Sequence, residues 1–301
     1  MKKIVTASAL AGCLAMGFLA FLVGAAEAQE DWQQQVAQAL GKAGTSAGGV
    51  YRVGLPRTDI KASLDGIELK PGFALGGWLA FEKMGNSAMV MGDLVLTEDE
   101  VNPVMTKLLV GGIEVTALHN HLLRNRPFTM YMHVLGQGDP AKLATLLHDA
   151  LAESKTPMTA APSGNAAPPA IDLDTAALDR VLGAKGTNNG GIYQYGIARA
   201  ERIAHADMAI PNAMGLANAI NFQPTGGGKA AITGDFVLID KEVAPVMKAL
   251  REHGIEVTAL HNHMVGEQPH LYFMHFWAHD DAQKLAAGLK AALGHVNLAK
   301  G

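Results

Sequence analysis

Alternating apolar and polar positions predict β-strands over residues 88–96, 113–121 and 128–135. Apolar residues at helical spacing predict a helix between the first two strands, with Thr97 and Glu100 forming a capping box at its start. Asp139 and Pro140 predict the start of another helix that runs to residue 151. With a further strand at 78–82, this part of the chain is predicted to run β-β-α-β-β-α.

The same pattern occurs twice. Residues 112–121 read Gly-Ile-Glu-Val-Thr-Ala-Leu-His-Asn-His, and they return unchanged at 254–263, 142 positions later. Over residues 92–121, 20 of 30 positions equal their partners at this offset, whereas over 57–88 only 5 of 32 do. An internal repeat of this length predicts two tandem units of one fold. Antiparallel strands with helices on one face predict an α+β fold for each unit.

The division of the chain follows from composition. Residues 155–170 hold four prolines among alanine, serine, threonine and glycine, a composition typical of an exposed connector. The predicted segments are therefore a signal peptide at 1–28, a first repeat at 29–154, a linker at 155–170 and a second repeat at 171–301.

The N-terminus predicts export. Lys2 and Lys3 precede an apolar run over 4–26, and Ala26-Glu27-Ala28 resembles a cleavage site. The expected mature chain begins near Gln29, in the periplasm or outside the cell. Two alternatives remain: the apolar run is long enough to be retained as a membrane anchor, and Leu-Ala-Gly-Cys at Cys13 resembles a lipoprotein signal.

Charge and cysteine content limit the kinds of binding partner that are expected. The net charge is −4 with no concentrated basic patch, so nucleic acid is not an expected partner. Cys13 is the single cysteine, so no disulfide is expected in the exported domain. The expected partner is a small molecule or a metal ion, with membrane contact only through the signal or lipid anchor. Nothing in the sequence sets an oligomeric state.

The repeated block places histidines on strands. Residues two apart share one face of a strand, so 113, 115, 117, 119 and 121 are predicted to point the same way. A turn at 125–127 is predicted to set His119 opposite His133 and His121 opposite Tyr131. The second copy would set His261 opposite His275 and His263 opposite Phe273.

Three neutral imidazoles on one face suit a divalent transition metal such as zinc, copper or iron. The predicted metal ligands are His119, His121 and His133 in the first repeat and His261, His263 and His275 in the second. Tyr131 could donate a hydrogen bond at the first site, whereas Phe273 could not at the second. A polar pocket for an organic ligand without metal and a structural role for the histidines remain as alternatives. Asp93 and Asp235, each after a glycine, are interpreted as turn residues rather than as partners of the ligands.

The repeated Gly-Asp-x-Val-Leu, Val-x-Pro-Val-Met and Gly-Ile-Glu-Val-Thr-Ala-Leu-His-Asn-His segments resemble the LppY/LpqO family over nearly the whole mature chain. The resemblance implies an extracytoplasmic location and, in some members, a lipoprotein. It supplies no catalytic residues, so both a metalloenzyme and a metal-binding protein remain open. His-x-His also resembles zinc peptidases that cleave cell-wall peptides. Because the additional His-x-x-x-Asp ligands of those enzymes have no counterpart here, a peptidase-like hydrolase is a less favoured alternative.

Overall fold

The computed structural model of the chain describes residues 31–159, 168–206 and 208–300. The predicted signal peptide, Cys13 and linker residues 160–167 lie outside the described residues. Within these ranges, no helix is long and apolar enough to span a bilayer.

The first repeat forms an antiparallel sheet and a small hairpin. Its strands are β1 (Thr45–Ala47), β2 (Val50–Pro56), β3 (Ala62–Leu64), β4 (Ile67–Leu69), β5 (Gly76–Met84), β6 (Ser87–Thr97), β7 (Glu114–His119) and β8 (Thr129–Gly138). Six of them form a sheet in the order β1-β2-β5-β6-β8-β7. The hairpin β3-β4 turns at Asp65 and Gly66, which have φ values of 51° and 80°. The Asp-Gly sequence is typical of such a tight hairpin turn.

The second repeat has the same architecture. Its strands are β9 (Thr187–Asn189), β10 (Ile192–Ala198), β11 (Ala204–His205), β12 (Met208–Ala209), β13 (Ala217–Gly226), β14 (Lys229–Leu238), β15 (Glu256–His261) and β16 (Tyr272–Asp281). The six-stranded sheet runs β15-β16-β14-β13-β10-β9, which matches the first sheet strand for strand. A 3₁₀ turn, Asn212–Met214, follows the short pair β11-β12.

Helices cover one face of each sheet, except that the four-residue helix Pro71–Ala74 packs between the repeats. Residues 31–40 form α1, and the others are α2 (Pro71–Ala74), α3 (Glu98–Val110), α4 (Pro140–Leu151), α5 (Thr175–Leu182), α6 (Asp240–Glu252) and α7 (Ala282–Leu293). The side chain of Asp139 accepts from the backbone N–H of Lys142 at 2.9 Å and caps α4, as predicted. In the first repeat, Val36, Val104 and Leu147 from the helices pack on the sheet in one buried core. An equivalent core fills the second repeat. The predicted α+β fold with two tandem units is confirmed.

The other faces of the two sheets pack against each other. Met89 and Met91 of the first repeat share one buried apolar cluster with Met214 and Phe273 of the second. A second shared cluster joins residues such as Phe73 to Trp277. Each central strand is therefore buried on both faces, by the helices of its own repeat on the outer face and by the other repeat on the inward face. Any polar residue on this inward side lies in a region of low dielectric.

A buried ion pair ties each sheet to a helix. Arg57 binds the Glu100 carboxylate of α3 at 2.6 Å and donates to the carbonyl of Val95 at 2.8 Å. Arg199 binds Glu242 of α6 at the same distance. Both arginines are 1–3% exposed, which is rare for arginine and marks a structural role.

Candidate metal centre

All six predicted histidines lie between the two sheets. His119 ends β7 and His133 lies in the middle of β8, while His121 follows just beyond the end of β7. The second repeat places its histidines in the same way on β15 and β16. His119, His133, His263 and His275 are buried, and His121 and His261 are half-buried.

The strand register differs from the predicted one. His133 pairs with Ala117 rather than His119, and His119 pairs with Tyr131. The displacement arises in the connection between β7 and β8, because these pairs lie between that connection and a bulge at Val115–Ala117. At the bulge β7 has an extra residue, which sends Ile113 and Val115 to the helix-covered core, so the prediction that they share the face of the histidines is wrong.

The second repeat has the same displacement. His275 pairs with Ala259, and His261 pairs with Phe273, so the predicted pairs His261–His275 and His263–Phe273 are also wrong. Because the error is two positions in both copies, the parity of the strand is unchanged, and the distal histidine stays on the inward face.

The two sets of histidines form one cluster rather than two. The His119 and His261 rings stack with centroids 3.6 Å apart. His121 lies 3.8 Å from His275, and His133 lies 3.8 Å from His263, again between ring centroids. Each distal histidine is therefore closer to the His-x-His of the other repeat than to its own; within the first repeat, His133 lies 4.9 Å from His119. Below, the six residues are called the histidine cluster.

Reciprocal hydrogen bonds hold the two His-x-His segments together. Thr116 Oγ1 donates to the carbonyl of His263 at 2.6 Å, and Thr258 Oγ1 donates to that of His121 at 2.5 Å. The amides of Asn120 and Asn262 likewise donate to the backbone of the opposite segment, at 3.0 and 2.9 Å. The ten-residue block thus packs against its own copy. This packing gives a physical reason for the identity of the two blocks, because a change in one alone would unbalance the contact.

Backbone carbonyls fix the tautomer of the distal histidines. His133 Nδ1 donates to the carbonyl of Gly92 at 3.2 Å, and His275 Nδ1 donates to that of Gly234 at 2.8 Å. A carbonyl can only accept, so in each ring Nδ1 carries the proton and Nε2 carries the lone pair. A backbone partner of this kind is common for histidines that bind metal through the other nitrogen.

Two carboxylates complete the centre, and the turn interpretation of Asp93 and Asp235 is wrong. Asp93 lies within β6 and Asp235 within β14, each directly opposite the distal histidine of its own repeat. Asp93 is 3.4 Å from His121 Nε2, and Asp235 is 3.2 Å from His263 Nε2. The Gly-Asp pair looked turn-like, but Met89, Met91 and Asp93 alternate toward one face of a strand, and that alternation was the available signal.

Many polar atoms of this centre lack protein partners. In the described ranges, the buried atoms without a hydrogen bond include Nε2 of all six histidines and Nδ1 of His119, His261 and His263. Asp93 Oδ1 and Asp235 Oδ1 are in the same state. Leaving one buried polar group unpaired costs about 1–3 kcal/mol. A cluster of unpaired buried polar atoms therefore indicates a site for a bound ligand or metal ion.

Burial sets the protonation states. Desolvation lowers the pKa of every histidine in the cluster, and neighbouring imidazoles lower the pKa of His119, His261 and His263 further. Desolvation raises the pKa of Asp93 to about 6, against the opposing effects of His133 and Arg52. The pKa of Asp235 is raised well above its usual range by burial and then by the charge of Asp93. Neutral imidazoles are the form that binds metal.

The ligand atoms are close enough to share an ion. Three groups have atoms within 4.8 Å of one another, and they are His119-His121-His275, His119-His133-His261 and Asp235-His261-His263. Two of the three combine both repeats, so the within-repeat triads predicted from sequence are not the ones that the structure brings closest.

Tyr131 has a different role from the predicted one. Its hydroxyl donates to the carbonyl of Ala74 and is therefore turned away from the histidines. Its ring stacks on His121 with centroids 3.3 Å apart, and Phe273 stacks on His263 at the same distance. The two aromatic residues are thus equivalent as packing partners, and the predicted inequality of the two copies does not arise here.

A cavity of about 530 Å³ adjoins the histidine cluster. Its wall includes His121, His263 and His275 together with Asp93 and Asp235. The volume falls in the range of small-molecule sites, so a ligand could reach the centre.

Comparison with known proteins gives a family. The family described as Domain of Unknown Function (DUF1259) matches residues 34–153 and again 176–295. The chain belongs to this family. The two matches bear out the duplication that the sequence repeat predicts. A search of curated proteins finds no match.

Two solved structures show weak similarity to the chain. A trimeric bacterial microcompartment shell protein, PduB, is 13% identical, with 84% of this chain and 90% of that chain covered and a TM-score of 0.19. EtuB from Clostridium kluyveri is 11% identical, with 83% and 90% covered and a TM-score of 0.19. Scores this low carry no argument about fold or function.

Proposed function

We propose that this DUF1259 protein binds a transition metal between its two repeats, as a metal-binding protein or a metalloenzyme. The observation that carries the proposal is the convergence of six imidazoles and two carboxylates whose buried nitrogen and oxygen atoms lack protein partners. Imidazole and carboxylate ligands suit zinc, copper or iron.

The pairing of residues across the repeats favours two coordination positions related by the duplication. One would use His121 and His275, and the other would use His263 and His133, because these pairs have the short 3.8 Å centroid distances. His119 and His261 stack between them and are available to either position.

Elemental analysis tests the proposal. Protein purified without chelator, or reconstituted with zinc, copper, iron or manganese, should hold between one and two equivalents of metal. The double variant His121→Ala/His275→Ala removes one cross-repeat pair and should leave the other position. His121→Ala/His263→Ala damages both positions and should lose nearly all metal.

The control is His279→Ala, which changes an exposed histidine outside the centre and should keep the wild-type metal content. Absence of bound metal after every reconstitution would overturn the proposal and favour the alternative, a ligand-binding module without metal. Equal losses in the two double variants would overturn the cross-repeat pairing alone.

Export also belongs to the proposal. The charged start, apolar run and Ala-x-Ala sequence support a periplasmic or extracellular protein with a cleaved signal near Gln29, and the LppY/LpqO resemblance supports the same location. We expect the intact mass of native protein to correspond to residues 29–301. A mass that includes residues 1–28 without lipid would contradict cleavage, and a diacylated Cys13 would instead establish a lipoprotein.

A further inference from the structure

A half-buried arginine faces the cavity beside the histidine cluster. Arg52 lies on the inward side of β2, with its guanidinium 4.0 Å from the centroid of the Trp78 ring. Its Nη1 donates to the carbonyl of Ala213 at 3.0 Å. Among the described residues it has no further hydrogen bond and no ion pair, which leaves most of its five donors available. Burial lowers the pKa of Arg52 to about 10, with the charge of Asp93 opposing, so the side chain is charged at neutral pH.

The second repeat lacks both side chains. Gln194 follows Tyr193 as Arg52 follows Tyr51, and Ala219 pairs with Asp235 as Trp78 pairs with Asp93. The duplicated histidines and aspartates are matched, whereas the cation and the indole occur once. The duplication therefore does not account for Arg52 and Trp78. These two residues make one end of the cavity different from the other.

The rest of the wall can bind hydroxyl groups. Amide and hydroxyl side chains line the cavity, namely Thr187, Gln194, Asn212, Asn221 and Thr233. Such groups donate and accept, as an alcohol does. The polar lining argues against a purely apolar ligand.

The charges favour an anion once metal is bound. A bound metal ion favours the ionised form of both aspartates, so the charged side chains around the cavity are then Arg52, Asp93 and Asp235. These side chains sum to −1, one divalent ion brings the total to +1, and a second ion makes it more positive. An open coordination position would also accept a carboxylate oxygen.

We propose that the cavity binds a small hydroxylated carboxylic acid beside the metal. Its carboxylate lies against the guanidinium of Arg52, where a bidentate contact is possible, and its hydroxyls bind the amide and hydroxyl side chains. This inference rests on the proposed metal site, because the metal supplies the positive charge.

Calorimetric titration of metal-loaded protein tests the inference. The probes are D-glucuronate, D-gluconate and citrate, and D-glucose is the neutral match for glucuronate. At least one acid should bind ten-fold or more tighter than glucose. Arg52→Gln, which introduces the residue found at this position in the second repeat, should lower the affinity for that acid at least ten-fold and leave the metal content unchanged. The control Arg126→Gln changes an exposed arginine and should leave binding unchanged.

Metal content measured on the same samples separates the two ideas. If the wild-type protein holds metal but binds none of the three acids, this inference is overturned and the metal site stands. The same conclusion follows if the Arg52→Gln variant binds the acids as tightly as the wild type. Protein that never holds metal would overturn the proposed function instead. A tenfold loss of affinity on metal removal would support the charge argument, and unchanged affinity would contradict it.

Discussion

Metal-free protein should lose about 5 kcal/mol of unfolding free energy for each pH unit below about 6. The six histidines of the cluster have lowered pKa values in the fold, so below about 6.5 the unfolded chain binds protons that the folded chain does not. Their stabilising contribution is complete above that pH and is lost as the pH falls.

The two aspartates act in the opposite direction. The pKa of Asp93 is raised to about 6, so between about 4 and 6 the folded chain holds its proton more tightly than the unfolded chain does, and the raised pKa of Asp235 acts in the same direction. Six protons favour unfolding and two oppose it, and each net proton is worth about 1.4 kcal/mol per pH unit. Since whole domains are stable by only about 5–15 kcal/mol, the loss should unfold the protein near pH 5.

Urea unfolding at pH 7.5, 6.5 and 5.5, after dialysis against a chelator, measures this dependence. His121→Ala/His263→Ala should make the slope shallower by about two protons, and His279→Ala should not change it. A stability that stays constant from pH 7.5 to 5.5 would show that the cluster is hydrated or already protonated in the folded chain.

The site illustrates what a single repeat's sequence can and cannot specify. Spacing of two along a strand puts His119 on the same face as Ala117, and the inward position of His133 followed from strand parity. The exact register did not follow, because it is set by the connection from His119 to Thr129, which is longer than the predicted turn at 125–127. Asp93 was misassigned for a related reason: its neighbour Gly92 suggested a turn, whereas the strand continues through both residues.

Local sequence patterns do not predict how the two repeats associate. Nothing in residues 112–121 alone states that Thr116 will bind the backbone at His263. The identity of the two blocks was the observable trace of that contact. The Arg52–Trp78 pair left no trace of this kind, because both residues occur in only one repeat.

Arg57→Ala should lower the free energy of unfolding by about 3–5 kcal/mol. The substitution removes the guanidinium but leaves the Glu100 carboxylate buried at 6% exposure. Glu100 would keep its contacts to the backbone N–H groups of Thr97 and Lys155, at 2.9 and 2.8 Å, and these limit the loss without replacing the cation. The carbonyl of Val95 would also lose its donor from Arg57.

Arg124→Ala is the matched control. Arg57 binds Asp59 at 2.8 Å as well as Glu100, and Arg124 likewise binds two carboxylates, those of Asp65 and Glu256, but it is exposed to water. Surface ion pairs contribute about 0–1 kcal/mol, so this variant should be nearly as stable as the wild type. Urea unfolding at pH 7.5 with constant metal content compares the two. Equal effects of Arg57→Ala and Arg124→Ala would contradict a structural role for the buried pair.

A double variant distinguishes the ion pair from its surroundings. Arg57→Leu/Glu100→Leu removes both charges, and where nothing else is bound to such a pair the replacement is often neutral or stabilising. Here Glu100 also accepts from Thr97 and Lys155, so apolar replacement leaves two backbone donors unpaired at about 1–3 kcal/mol each. We therefore expect the double variant to remain destabilised, because Glu100 serves both as the partner of Arg57 and as an acceptor that joins the start of α3 to the segment after α4.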